Sequence, residues 1–242
     1  MIKICAVTDI GLSRQENQDG FFIDGLSAYN TNHKEIYLET DNKNMTIFVA
    51  DGVGGTQDGK YAVEKIINLF KTENVESLDA FLNFSNSRIC DDALLEGKQT
   101  ATTIAGIVIS DKTTSFNVGD SKVFVINNGY LDQKSTDDTM ETLVRESGLD
   151  YGYLDAMGKT PLTQCIGNKK EIINVHMSEI DLQNDIIICT DGLTDSLNLD
   201  EIEEIICQNT DIRIKVKKIL EAAYENGCRD NITLIYICFN GD

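Results

Sequence analysis

The stretch Thr46-Ile-Phe-Val-Ala-Asp-Gly-Val-Gly-Gly55 decides how this chain is read. Ile47, Phe48, Val49 and Ala50 form a short apolar run of strand-favouring residues, the pattern of a strand covered on both faces. Asp51 follows at the strand's end. Gly52, Gly54 and Gly55 then allow the backbone to take positive φ and to approach a ligand closely. A carboxylate on a rigid strand end, beside an open carbonyl, suits a hard divalent cation. Taken alone, the stretch reads equally well as a solvated Asp-Gly turn after a core strand.

Outward from it, the chain alternates short apolar strands with paired helices. Strands are expected at 2–9, 20–24, 46–50, 102–110, 113–118, 122–126, 171–177, 185–191 and 231–239. Residues 25–45 read as a hairpin or loop around Glu35–Leu38. Val63, Ile66, Ile67 and Phe70 make one apolar stripe on a helix that starts near Gly59. A second helix is expected at 77–95. Leu199, Ile202, Ile205 and Ile206 mark a third, and Val216, Ile219, Leu220 and Ala223 a fourth. Asn127-Asn-Gly129 is a tight hairpin turn. About ten strands, many of them hairpin-linked, favour antiparallel sheets packed on each other and covered by helices over a βαβ array. Residues 136–160 are acidic and glycine-spotted. They read as a mobile surface segment with a helix around Thr139–Glu146.

The chain has 242 residues, enough for one large domain. Its formal net charge of −19 argues against nucleic acid and anionic membranes as partners. No apolar run approaches the roughly 18 residues of a membrane span, and the start carries no signal-peptide pattern. Seven cysteines, none in a C-x-x-C pair, read as reduced thiols of a cytoplasmic protein.

Four acids share one feature. Asp51, Asp120, Asp191 and Asp230 each stand at the end of an apolar strand, and strand ends at one edge of a sandwich can converge. Four neighbouring carboxylates need compensating cations, and all-oxygen donors favour Mg²⁺ or Mn²⁺ over zinc. The two histidines, His33 and His176, lie in no motif. Arg14, in the polar loop near Asp19, could grip a phosphate bidentately or form a surface salt bridge with Glu16 or Asp19.

These residues fall into an ordered set of motifs. They are Thr8-Asp-Ile-Gly-Leu-Ser-Arg14 with Asn17-Gln-Asp19, Asp51-Gly-Val-Gly-Gly55, Ala101-Thr-Thr103, Asn117-Val-Gly-Asp-Ser121, Leu162-Thr-Gln-Cys-Ile-Gly167, Cys189-Thr-Asp-Gly-Leu-Thr-Asp195 and Asp230-Asn-Ile-Thr233. In this order, over nearly the whole chain, they resemble the metal-dependent protein phosphatases of the type 2C (PPM) class in their compact bacterial form. The resemblance implies an α+β fold, a four-layer αββα sandwich, as a single domain over 1–242 with a flap at about 136–160. It implies two to three Mn²⁺ or Mg²⁺ ions. Asp51 would bridge two of them, the Gly52 carbonyl would bind one, and Asp191 and Asp230 would complete the first site. Asp120 would join Asp191 at a third. Arg14, Asp19 and Asp51 are the implied catalytic residues, with Arg14 on the phosphate. A water between two cations would attack phosphorus in line. The implied activity is hydrolysis of phosphoserine and phosphothreonine in proteins, opposing a cytosolic Ser/Thr kinase, by a monomer.

Two positions depart from the pattern. Gln18 stands where the family usually has Glu, so it is expected in the outer coordination sphere and the second ion is expected to bind weakly. Val53 stands where many eukaryotic members carry a His. Gln18 also leaves a second reading, a catalytically weak regulatory or phosphopeptide-binding member of the same fold.

Overall fold

A computed structural model describes residues 1–53, 58–74, 76–148, 160–181 and 184–239. Strands β1 (Ile2–Asp9), β2 (Gly20–Ile23), β3 (Leu26–Ala28), β4 (His33–Thr40) and β5 (Met45–Ala50) come first, followed by helices α1 (Gly59–Thr72) and α2 (Leu78–Glu96). Strands β6 (Ile104–Ile109), β7 (Thr113–Val118), β8 (Lys122–Asn127) and β9 (Tyr130–Gln133) follow, then α3 (Met140–Ser147), β10 (His176–Ile180) and β11 (Ile186–Cys189). Helices α4 (Asp191–Ser196), α5 (Leu199–Ile206) and α6 (Ile212–Glu225) precede β12 (Ile232–Cys238). The strands form two six-stranded sheets, ordered β4-β1-β12-β11-β8-β9 and β10-β7-β6-β5-β2-β3, with antiparallel pairing throughout.

Side-chain alternation builds the layers. Ile4 and Ala6 of β1, Ile47 and Val49 of β5, Ile186 and Ile188 of β11, and Ile235 and Ile237 of β12 meet between the sheets. The intervening residues point outward. Val7, Ile187, Cys189, Leu234 and Tyr236 pack under α4, α5 and α6 with Leu193, Ile202 and Ile219. Phe22, Phe48 and Phe116 pack under α1 and α2 with Ile66, Phe70 and Leu82. Helices, sheet, sheet and helices therefore make the expected four layers. Central strands read as continuous apolar runs because both of their faces are covered.

Phe48 is fully buried, with its ring 4.6 Å from that of Phe70 and 5.1 Å from that of Phe22. Phe48→Ala is expected to cost about 3–5 kcal/mol. Equilibrium urea unfolding followed by circular dichroism checks this.

Several boundaries differ from expectation. No strand runs over 171–175. There the backbone is taken up by side chains instead: Asn86 donates to the Lys169 and Glu171 carbonyls, Asn83 brackets Ile173, and Gln164 accepts from the Asn174 N–H. Ile173 and Val175 are buried against the α2 side of the fold, which accounts for the strand-like pattern. The strand expected to reach Asp191 stops at Cys189, and Asp191 opens α4. Residues 25–45 hold two strands, with β4 pairing along all of β1. Strand β9 was not expected. It follows the two-residue loop Asn128-Gly129, whose φ values of 51° and 86° are those of a hairpin turn. The helix of the acidic segment forms as α3, while 149–159 lie outside the described residues.

Candidate active site

The strand ends carry their acids to one place. Asp51 leaves β5, Asp120 sits in the β7–β8 turn, Asp191 opens α4 after β11, and Asp230 precedes β12. All four line a cavity of about 680 Å³, together with Arg14, Gln18 and Gly52. Because β5 and β12 lie in different sheets, the cavity draws its walls from both.

Local bonds fix each acid. The Asp51 carbonyl accepts from the Thr103 N–H and the Thr102 hydroxyl, each at 2.9 Å, and the Gly52 N–H donates to the Gln18 carbonyl at 3.2 Å. Gly52 does not use the left-handed conformation that its residue type allows. It is needed for room: a Cβ there would lie 2.7 Å from the Gly59 carbonyl carbon and 2.9 Å from Gln18. Gly54 and Gly55 lie outside the described residues. A Cβ on Gly192 would come within 1.9 Å of the Asn231 carbonyl oxygen, so this glycine lets the Asp191 and Asp230 segments touch. Asn231 ties the Arg14 loop to β12, donating to the Ile10 and Glu16 carbonyls and accepting from the Gln18 N–H.

Arg14 makes neither of the surface salt bridges considered for it. Its Nε and Nη2 grip the two carboxylate oxygens of Asp230 at 2.7 and 2.6 Å. Gln18 Nε2 donates to Glu16 Oε1 at 2.9 Å, and Lys60 Nζ lies 2.6 Å from Glu16 Oε2. These two donors, Lys60 first, hold the Glu16 carboxyl below the usual range.

Asp19 does not line the cavity. It is 1% exposed and accepts hydrogen bonds from the Thr190 and Thr233 hydroxyls at 2.8 and 2.9 Å. It therefore braces the residues beside Asp191 and at the start of β12 from behind. Burial pushes its carboxyl up to about 7, against the pull of the two hydroxyls. A folded-state value raised above the unfolded one means that stability is fully present below about 4 and falls as pH rises through about 7. In the presence of a chelator, the melting temperature is expected to fall across that window. Asp19→Asn should flatten the fall, as a thermal melt series in matched buffers would read.

Neither histidine belongs to the site. His33 Nδ1 meets Asp9 at 2.6 Å, and His176 Nε2 meets Asp138 at 2.8 Å. Asp138 belongs to the acidic segment that begins at 136. Its carboxylate also accepts from the Gly119 N–H at 2.8 Å and from Gln164 at 3.0 Å, which sets the turn that carries Asp120. A second cavity, about 630 Å³, adjoins the first through Asp120 and Asp191 and is walled by Lys122, Asp137 and α3. Cys165 lines the main cavity, but burial pushes its thiol up to about 11, so it remains protonated at neutral pH and unsuited to nucleophilic attack. Sequence reasoning placed Asn231, Thr190 and Thr233 within motifs and Glu16 beside Arg14 but assigned them no bracing role, because their roles are hydrogen bonds across more than 150 residues or within a polar loop.

Among the described residues, no three His, Cys, Asp or Glu side chains close into a ready-made metal cage. The four acids instead line one cavity without closing on one another. The Asp51 carboxyl is held well above the ordinary range, first by burial and then by Asp19, Asp191, Asp120 and Asp230. Such a set is costly without positive charge, and its all-oxygen chemistry fits Mg²⁺ or Mn²⁺.

No protein-family profile matches the chain. It is similar to the protein phosphatase PhpP of Streptococcus pneumoniae, with 25% identity over 99% of this chain and 98% of the relative. The fold is that of solved serine/threonine phosphatases. Stp1 from Staphylococcus aureus superposes with a TM-score of 0.80 at 20% identity, covering 100% of this chain and 96% of that one. The catalytic domain of the phosphatase PstP, solved in complex with two manganese ions, gives a TM-score of 0.73 at 21% identity, covering 98% of each chain.

Proposed function

We propose that this chain belongs to the PPM (type 2C) family of serine/threonine phosphatases and hydrolyses phosphoserine and phosphothreonine in proteins with the help of two to three Mn²⁺ or Mg²⁺ ions; its likeness to PhpP and to the fold of Stp1 supports the reading. The observation that carries the reading is the convergence of Asp51, Asp120, Asp191 and Asp230 on one cavity with Arg14 at its rim. Asp51, the Gly52 carbonyl, Asp191 and Asp230 would hold the principal ions, and Asp120 with Asp191 a further one. When bound, the cations supply the deprotonated nucleophile and the positive charge that a phosphoryl group needs. Arg14 would exchange its Asp230 carboxylate for two phosphoryl oxygens, which present the same bidentate geometry. No histidine lines the described cavity, so the serine or threonine leaving group takes its proton from water.

The other parts of the reading rest on lesser supports. All seven cysteines are free, which fits a reducing, cytoplasmic setting. Among the described residues, no helix is long and apolar enough to cross a membrane. The continuous inter-sheet core supports one domain, and the place of α3 beside the second cavity supports its part in a flap, of which residues 149–159 lie outside the described residues. The substrates would be products of a Ser/Thr kinase, taken by a monomer. The test is turnover of p-nitrophenyl phosphate and of a phosphothreonine peptide with Mn²⁺. Chelator-sensitive release of phosphate is expected. Folded protein that binds the phosphopeptide without releasing phosphate would favour the regulatory alternative.

A further inference from the structure

Gln18 stands where the resemblance would place a carboxylate, and a carboxylate lies directly beside it. Glu16, two residues earlier, lines the same cavity as Gln18, Asp51 and Gly52. The Gln18 amide is turned so that Nε2 donates to Glu16 Oε1 at 2.9 Å. A carboxylate can only accept, so this bond fixes which end of the amide faces Glu16. The other end, Oε1, would lie 2.8 Å from a Cβ on Gly59, against the first turn of α1. Gln18 is thus a clip between Glu16 and α1, and an ionised Glu in its place would face Glu16 as a like charge. The main chain is held as firmly as the side chain: the Glu16 carbonyl accepts from Asn231 Nδ2 at 3.0 Å, and the Gln18 carbonyl accepts from the Gly52 N–H at 3.2 Å. The loop that carries Glu16 is therefore anchored to both acid-bearing segments, at Gly52 next to Asp51 and at Asn231 next to Asp230. The second Glu16 oxygen is met by Lys60 Nζ at 2.6 Å, from the first turn of α1. Both partners of that pair are nearly half exposed, at 48% and 45% of their side-chain surface, so the ammonium is free to swing into solvent.

We propose that Glu16 supplies the carboxylate for the second, weaker cation of this site in place of residue 18, with Gln18 orienting it and Lys60 as its exchangeable counter-ion. The proposal rests on the metal-dependent reading of the cavity. It makes Glu16 a ligand or a water-orienting group for that ion, and it makes residues 16 and 18 interchangeable as the source of one negative charge.

The test is Mn²⁺ binding by the intact chain, followed by electron paramagnetic resonance of free Mn²⁺ and by titration calorimetry, with no turnover involved. Glu16→Gln is expected to weaken the weaker class of sites about tenfold and to leave the tighter class unchanged. Adding Gln18→Glu to Glu16→Gln should restore the weaker class. Thermal melts of each variant with chelator present establish that it is folded. Equal weakening of both classes, no change in either, or no recovery in the double variant would overturn the proposal. Wild-type protein that binds no Mn²⁺ at all would overturn the metal-dependent reading with it. Two classes of site that are indifferent to Glu16 would overturn this proposal alone.

Discussion

Asp51→Asn is expected to lower Mn²⁺-dependent turnover by about 10³-fold, roughly 4 kcal/mol of transition-state stabilisation, while raising the melting temperature of the metal-free protein. Both effects have one cause. Asp51 is buried and held near Asp19, Asp191, Asp120 and Asp230, so its charge is opposed by desolvation and by four like charges. Asparagine keeps the shape and removes the charge, much as protonation does. A carboxyl with a raised folded-state value destabilises the fold as pH rises through that value, so the gain from Asn should grow from acid to neutral pH. Added Mn²⁺ should stabilise the wild type and leave the variant nearly unchanged. Kinetics with p-nitrophenyl phosphate and melts with and without chelator supply both readouts. A variant that loses activity without gaining metal-free stability would show that Asp51 is not under the electrostatic load described.

Gly192→Ala is expected to be the most damaging single methyl group in the site. The added Cβ would lie 1.9 Å from the Asn231 carbonyl oxygen, a backbone atom that cannot rotate away. Either α4 or the start of β12 must move, and each carries one of the acids, Asp191 or Asp230. Overpacking of this kind costs about 1–3 kcal/mol of stability. Displacing reacting groups by about 1 Å costs on the order of 10²-fold in rate. Urea unfolding and kcat measured at saturating Mn²⁺ read the two losses. The control is Gly97→Ala, where a Cβ meets nothing within 4 Å: its left-handed φ of 66° predicts a small loss of stability and unchanged turnover.

The apolar runs made the layers legible, since Ile47 and Val49 alternate with Phe48 and Ala50 toward two different cores. The acids were legible for a related reason: a charged residue directly after such a run is conspicuous. Their common cavity was visible only through the order of the motifs. What stayed hidden was whatever depends on a partner far away in sequence. Strand β9 has a half-exposed Tyr-Leu-Asp-Gln pattern and owes its existence to β8. Ile173 and Val175 look like a strand but lean on α2 instead. Arg14 reads in sequence as a phosphate grip or a partner of nearby Glu16 or Asp19, yet it holds a residue 216 positions later. Asp19, implied as catalytic by the resemblance, lies behind the cavity wall, where two threonine hydroxyls from β12 and the β11 end bond to it.

The sheet order β4-β1-β12-β11-β8-β9 sets a schedule for synthesis. Strand β12 lies between β1 and β11 and follows both of them in the chain. Until it arrives, that sheet has a gap at its centre, and β1 and β11 face each other as open edges with unpaired N–H and C=O groups. Closing the gap pairs Ile4 with Ile237 and Ile188 with Ile235, contacts of long sequence separation that form slowly. Asp230 and Asn231, at the mouth of the same strand, come with it. Asp230 therefore takes its place in the step that closes this sheet, which ties assembly of the candidate site to completion of the core.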